Sequence, residues 1–387
     1  MLEPRPENAR RPTMLELFFD LVYVVVLALI SQRLMRDPDW ADAVRALLLL
    51  AGLCWVWGAT VLITNIYDPA QPLIQGATIV AIVGSLLMAA SIPGAYDRHS
   101  MVFAVAYVGI HLGRGLLLIP ALRGQPGEFQ RAVHVLIWFS VSAVPWLAGG
   151  VVGGTGQIAL WTVALAIDAL GLGLRYPVPG LGRGQAAQLL SVAEHLGERF
   201  QQFFIVSLGD AILIIGLAMS RTEFTAIHLA GFGVTLGSTV LLWRIYVHRA
   251  GQVLPAAIGA SRRPARFSQS SPYNHLVMVA GVAATAAGFE LVIVDPTGEP
   301  TTGWVATTLG GPALFLAGRA LFEYEVFGRV SPVRPAAMLV LVAAVPGVLR
   351  LPPLAGTTVA ALVLAGVAVT DALRSRRRST RAATSAG

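Results

Sequence analysis

The chain has 387 residues, of which 55% are hydrophobic and only 13% charged, with a formal net charge of +7. An average soluble domain carries roughly 25% charged residues, so this composition excludes an ordinary soluble enzyme, a disordered chain and a disulfide scaffold. What remains is an all-α, polytopic membrane protein, and its first partner is the lipid bilayer.

A crossing helix needs about 20 mostly apolar residues. Twelve runs meet that need, at about 15–35, 44–66, 72–92, 100–120, 132–152, 157–175, 200–220, 225–247, 274–294, 303–323, 334–350 and 354–373. Most connections are short and rich in Pro, Gly and Asp, such as Asp68-Pro69, Ile92-Pro93-Gly94 and Asp295-Pro296. The longest are 176–199 and 248–273. No cleavable signal peptide is expected, because Arg5, Arg10 and Arg11 precede an apolar run long enough to span, with no small-residue cleavage site after it.

Orientation follows from the arginines. All 28 basic residues are Arg and none is Lys. With both ends inside, 18 arginines fall in cytoplasmic segments and 5 outside, namely Arg33, Arg36, Arg98, Arg221 and Arg350. The positive charge is thus a positive-inside bias and not a nucleic-acid surface. The expectation is a bacterial cytoplasmic (inner) membrane protein with both termini cytoplasmic. The absence of Lys excludes Schiff-base chemistry. The one cysteine, Cys54, lies in an apolar run, so a Cys-based metal site is excluded too. No metal and no cofactor are expected.

The two halves resemble each other. Gly58-Ala-Thr-Val-Leu-Ile-Thr-Asn-Ile-Tyr67 and Gly237-Ser-Thr-Val-Leu-Leu-Trp-Arg-Ile-Tyr246 share six of ten positions. Glu16-x-Phe18 matches Glu198-x-Phe200, Gly113-Arg114 matches Gly318-Arg319, Ala143-Val-Pro145 matches Ala344-Val-Pro346, and Asp168-Ala-Leu matches Asp371-Ala-Leu, in the same order. Duplication of a six-helix unit is expected, with parallel repeats related by an axis along the membrane normal. The organisation is then a cytoplasmic segment 1–14, a first repeat 15–176, a connection 177–199, a second repeat 200–373 and a basic tail 374–387.

Ionisable residues inside the membrane are costly and so informative, at roughly 2.5–3.5 kcal/mol for a central carboxylate even on the mild insertion scale. Glu16 and Asp20 stand one turn apart on one face of the first helix. Glu16 suits a helix entry; Asp20 lies more than a turn deeper. Asn65, Tyr67 and Asp68 close the second helix, where Asp68-Pro69 is an ordinary stop. His111 and Arg114 share a face of the fourth, and Arg319 is the counterpart of Arg114, which suggests ion pairs with acids. Asp168 is the only charge in a long apolar run. The seventh helix carries His195, Glu198 and Arg199 at its entry and Asp210 near its middle; the ninth carries His275 and Glu290. Glu16, Asp20, Arg114, Asp168, Glu198 and Asp210 are expected to converge on one polar cavity in the cytoplasmic half, because opposite charges cost least when they meet away from lipid.

Several stretches resemble the bacterial low temperature requirement A (LtrA) family. They are Leu15-Glu16-Leu-Phe-Phe-Asp20-Leu-Val-Tyr23, Thr64-Asn65-Ile-Tyr67-Asp68-Pro69, Gly113-Arg114, Ala166-Ile-Asp168, His195-Leu-Gly-Glu198-Arg199-Phe200 and Gly310-Gly-Pro312-Ala-Leu. One departure is Leu208-Gly209-Asp210, where the family usually carries Leu-Gly-Glu. The family is named for growth in the cold, so the resemblance implies a phenotype and not a mechanism. Phe18-Phe-Asp20 is also similar to the Phe-x-Asp motif in the first helix of a family of potassium channels that can be built from two six-helix repeats.

The leading expectation is a transporter of an unknown small solute or ion, proton-coupled through buried carboxylates. The alternatives are an ion channel, an intramembrane acid-base enzyme and a non-catalytic membrane-stabilising protein. His-Glu-x-x-His, Gly-x-Ser-x-Gly and P-loop motifs are all missing, which weighs against the enzyme.

Overall fold

The structure is a computed structural model that describes residues 2–5, 12–36, 40–182, 193–259 and 264–384. Side chains at 36, 40, 193–195, 248–272 and 375–384 lie outside the described set, and with them His195. The same holds for Arg10, Arg11, Arg183, Arg249, Arg262, Arg263, Arg266, Arg376, Arg377, Arg378 and Arg381 of the expected cytoplasmic segments.

The described residues form twelve α-helices and no strand. They are α1 (Met14–Arg36), α2 (Trp40–Ile66), α3 (Pro72–Ser91), α4 (Ser100–Ala121), α5 (Pro126–Val152), α6 (Gly154–Leu174), α7 (Ala193–Met219), α8 (Ala226–Gly259), α9 (Pro264–Val294), α10 (Thr302–Phe327), α11 (Val333–Val348) and α12 (Pro353–Thr384). Eleven of them contain an apolar stretch long enough to cross a membrane. The chain is therefore an all-α polytopic membrane protein. The exception is α11, whose 16 residues span about 24 Å at 1.5 Å per residue, short of a hydrocarbon core about 30 Å thick.

Local sequence sets the ends. Thr13-Met-Leu-Glu16 is a capping box: Glu16 N–H donates to Thr13 Oγ1 (3.3 Å) and Thr13 N–H donates to Glu16 Oε2 (2.8 Å). Pro72 and Pro126 sit in the first turns of α3 and α5, where a missing N–H costs nothing. That is why α5 starts at 126 and not near 132. Gly153 (φ 70°) and Gly154 (φ 57°) make the α5–α6 corner in a backbone region that other residues avoid. The expected connection 248–273 is helical up to Gly259 and again from Pro264, with 260–263 outside the described residues.

The chain forms two compact units. The first contains α1 up to Arg33 and α2 to α6, with residues 193–200 of α7 and 264–272 of α9; the second contains residues 34–36, 201–259 and 273–384. Aromatic rings fill the first. Trp146 and Trp161 lie with centroids 5.1 Å apart, Phe103 stacks on Trp161 at 5.3 Å, and Tyr107 lies 4.4 Å from Trp146. Their indole and phenol groups need partners when buried. Trp161 Nε1 donates to the Trp146 carbonyl (3.0 Å) and Tyr23 Oη donates to the Leu53 carbonyl (2.9 Å). At the far end of α1, Asp42 accepts from Arg33 (2.7 Å) and Arg45 (3.1 Å), and both guanidiniums face the Tyr96 ring. In the second unit Phe204 stacks on Tyr246 at 3.7 Å beside Phe315. There α9 and α10 approach backbone to backbone: a Cβ on Gly281 would lie 2.4 Å from Phe315 N, a contact only glycine permits.

Candidate functional site

Glu16 is fully engaged at the entry of α1. Oε2 accepts from Thr13 N and Oγ1, and Oε1 accepts from Arg5 Nη1 (2.9 Å). Arg5 in turn donates to the Thr64 carbonyl of α2 (2.9 Å). Residues 2–5 are tied across the end of α2: Arg5 N–H donates to the Ile66 carbonyl (3.0 Å) and Asp68 N–H to the Glu3 carbonyl (3.1 Å). Glu16 is thus a cap with a counter-ion.

One turn deeper, Asp20 Oδ1 accepts from Arg199 Nη2 (2.9 Å) and Trp57 Nε1 (2.9 Å). Arg199 also reaches the Glu16 carbonyl (3.4 Å). Asp20 and Arg199 are both buried, and Asp20 Oδ2 has no hydrogen-bond partner among the described residues. The pair joins α1 to the start of α7 within the first unit. An arginine that the sequence offered as a helix-entry marker is the counter-ion of the deep acid.

Arg114 behaves differently from expectation. It is buried, yet among the described residues no acid pairs with it. Nη1 donates to Thr60 Oγ1 (3.1 Å) and Nη2 lies 2.8 Å from His111 Nδ1. Both contacts are neutral, and the acid of α6, Asp168, meets α4 at Tyr107, two turns away. Arg114 and His111 line a cavity of about 190 Å³. Its walls are otherwise mostly apolar, from Cys54 to Leu62 on α2 and from Ala132 to Phe139 on α5. Tyr67, Arg131, Arg175 and Tyr176 also line it, where α2, α4 and α6 end and α5 begins. Tyr67 Oη donates to Glu128 (2.7 Å) and accepts from Arg131 (3.1 Å), and Arg131 is also paired with Glu128. Arg175 (φ 65°) and Tyr176 (φ 49°) both hold left-handed backbone, a strain of about 1–3 kcal/mol each that clusters at functional sites. The geometry is held by Tyr176 N–H on the Gly171 carbonyl (2.7 Å) and Trp138 Nε1 on the Pro177 carbonyl (2.9 Å).

Asp168 is buried on α6. Oδ2 accepts from Tyr107 Oη (2.6 Å), and Oδ1 has no partner among the described residues. No cation pairs with it among the described residues. Tyr107, His111 and Arg114 fall at i, i+4 and i+7 of α4, so they share one face. The Tyr107 and His111 rings lie 4.5 Å apart, and His111 stacks on Phe139 at 3.9 Å. A polar and aromatic column therefore runs from the uncompensated acid to the uncompensated arginine.

Of the six residues expected to converge, only Arg114 lines the cavity, together with His111 and Tyr67; Glu16, Asp20, Asp168 and Glu198 do not line it, and Asp210 belongs to the second unit. Glu198 is half-buried. Asn65 is buried with neither amide atom bonded among the described residues, and Asp68 caps a turn by accepting from Ala70 N–H (2.9 Å). The remaining candidates belong to the second unit. Asp210 is fully buried on α7, next to the apolar cluster formed by Ala211, Ile214 and Ile215. His275 meets Tyr246 Oη at 3.2 Å. Glu290 pairs with Arg221 at 3.4 Å on the surface, where such a pair contributes about 0–1 kcal/mol. Arg319 is buried with its guanidinium over the Phe322 ring at 5.3 Å.

The sequence reading missed Trp57, Thr60, Tyr107 and Arg334. The first three are neutral residues in apolar runs and carry no flag of cost. Arg334 was counted as a loop charge, but it is buried and its Nη2 holds Glu323 (3.2 Å) and Asp371 (3.1 Å).

The model of the bacterial low temperature requirement A protein (LtrA) family matches residues 11–369. The uncharacterized protein RA0937 of Rhizobium meliloti (strain 1021) is 33% identical over 322 residues, 82% of this chain and 78% of its own. No solved structure matches. With that coverage, and with its crossing helices, the chain is a multi-pass membrane protein that belongs to the bacterial low temperature requirement A family.

Proposed function

We propose that the protein is a proton-coupled carrier of a small solute, with the solute held in the cavity of the first unit and the proton carried by Asp168. The observation that carries this reading is the α4 column, which connects an acid without a cation to a cavity arginine without an acid. Intramembrane ionisable groups of this kind mark ion and proton paths by default. The chemistry is electrostatic. With Asp168 ionised, its charge offsets that of Arg114 across the Tyr107–His111 spacer. With Asp168 protonated, the surroundings of the cavity carry one more positive charge, so proton binding changes solute affinity. Tyr107 Oη holds the carboxylate in place and leaves Oδ1 to receive the proton.

The test is proton flux in proteoliposomes under an imposed potential, with a panel of small anionic, cationic and neutral solutes outside. Solute-dependent proton uptake is expected in the wild type. It should fall to the background of empty vesicles in Asp168→Asn, which keeps the shape and the Tyr107 bond. Uptake that is unchanged in Asp168→Asn overturns the reading.

The sequence matches between halves support a duplicated six-helix architecture, and the arginine bias supports an inner-membrane location with both ends cytoplasmic. Reporter fusions at each end are expected to report the same, cytoplasmic side. Opposite sides would mean that the short helix α11 fails to cross.

A further inference from the structure

The cavity of the first unit is unbalanced in two ways that point to the same missing group. The first is charge. Arg114 is buried at about 10 Å from the end of α4, seven residues at 1.5 Å each, and no acid pairs with it among the described residues. The second is hydrogen bonding. A guanidinium only donates. Since Arg114 Nη2 lies 2.8 Å from His111 Nδ1, that ring nitrogen accepts, and the ring proton must sit on Nε2. Nε2 is buried and has no partner among the described residues. Stacking on Phe139 and contact with Tyr107 fix the ring, so it does not turn to find one. Thr60 offers no help: its hydroxyl is committed as a donor to the Val56 carbonyl (2.8 Å), which is what lets its oxygen accept from Arg114. An unsatisfied buried donor is costly, and more so when a charge is involved.

A cation and a bare N–H donor in one cavity require a negatively charged acceptor. The walls require that its body be apolar. At about 190 Å³ the cavity is far larger than a single water or a bare ion needs. At the mouth the exposed Arg175 adds positive charge, Arg131 is paired with Glu128, and no acid lines the cavity. We propose that this cavity binds an organic anion with an apolar body, of the class of short- to medium-chain monocarboxylates, its carboxylate on Arg114 and His111 Nε2 and its chain against α2 and α5. This deepens the carrier reading and rests on the same cavity; with Asp168 as the proton site, it makes the coupled species one proton and one anion. The headgroup of an anionic lipid presents the same chemistry and is the other source of such a ligand.

The test is equilibrium binding of radiolabelled octanoate to the full chain in nanodiscs of zwitterionic lipid. Saturable binding is expected, with octanol and octyltrimethylammonium competing at least about 10-fold more weakly. A charge-assisted hydrogen bond carries about 1.5–3 kcal/mol, so Arg114→Gln should weaken octanoate about 10- to 100-fold. Gly58→Leu provides a variant that does not touch the charges. A Cβ on Gly58, a cavity-lining residue, meets nothing within 4 Å, so the larger side chain fills the cavity without disturbing the fold. It should abolish binding while the melting temperature stays in place. Nanodiscs containing phosphatidylglycerol distinguish the sources: displacement of octanoate assigns the site to a lipid headgroup, and undisturbed binding assigns it to a free carboxylate. Octanol competing as well as octanoate, or unchanged binding in either variant, overturns the proposal. A wild type that binds octanoate but moves neither it nor protons overturns the carrier reading alone. Solute-coupled flux without octanoate binding overturns this proposal alone.

Discussion

Arg334→Ala is expected to be the most destabilising of the charge substitutions, by about 3–5 kcal/mol or more. Arg334 is one cation between two buried acids, Glu323 on α10 and Asp371 on α12. Removing one partner of a buried pair is costly, and here two buried acids lose their direct ion pair at once, with Arg319 the remaining buried cation near them. Glu323 keeps only the Ser331 N–H at 3.2 Å. The combined variant Arg334→Met, Glu323→Gln, Asp371→Asn should recover most of the loss, because it removes the charges together. Thermal unfolding in detergent, followed by near-ultraviolet circular dichroism, provides the comparison. A single variant as stable as the wild type would mean that these acids are solvated and the triad holds nothing.

The second large effect concerns Asp20 and Arg199. Asp20→Leu removes the carboxylate that accepts from Arg199 at 2.9 Å and leaves that buried guanidinium without its ion pair to α1. Arg199→Met leaves Asp20 with the Trp57 indole alone. Each single change should cost about 3–5 kcal/mol, and the double variant should be markedly less destabilised than the sum of the two. The pair locks α1 to the start of α7, and the proton route proposed above runs through Asp168. The double variant should therefore retain proton flux per folded molecule. A double variant that folds yet transports nothing would move the proton site from Asp168 to Asp20.

These two predictions also mark what the sequence could and could not show. Apolar runs and their Pro/Gly breaks located the crossing helices, because length and hydrophobicity are local properties. The run 334–350, one of the shorter ones, yields the short α11. The costly residues were visible because charge in an apolar run is visible: Asp20, Arg114, Asp168 and Arg199 are all buried. Their pairing was not visible. Arg114 and Arg199 were equally available to Asp20 by composition, and the tertiary placement of the first residues of α7 within the first unit gives it Arg199. The polar shell of Arg114 was hidden for another reason. Thr60 and Tyr107 are neutral and common in apolar helices, so no cost argument singles them out. One signal was present and unread: Thr13-x-x-Glu16 is a capping pattern, and it explains Glu16 without any transport role. Arg334 was misjudged because a charge at the end of an apolar run reads as interfacial until its burial is known.

The contrast between Asp168 and Asp371 tests the central claim most directly. Both are buried acids in Asp-Ala-Leu, but Asp168 has only neutral polar groups around it, Tyr107 among them, while Asp371 holds an arginine. The measurement is solute-dependent proton flux in proteoliposomes, normalised to folded protein, for Asp168→Asn and Asp371→Asn side by side. The account predicts that Asp168→Asn folds with near wild-type stability and moves no protons, whereas Asp371→Asn loses stability and keeps its flux. Equal flux in the two variants, or loss only in Asp371→Asn, would contradict it.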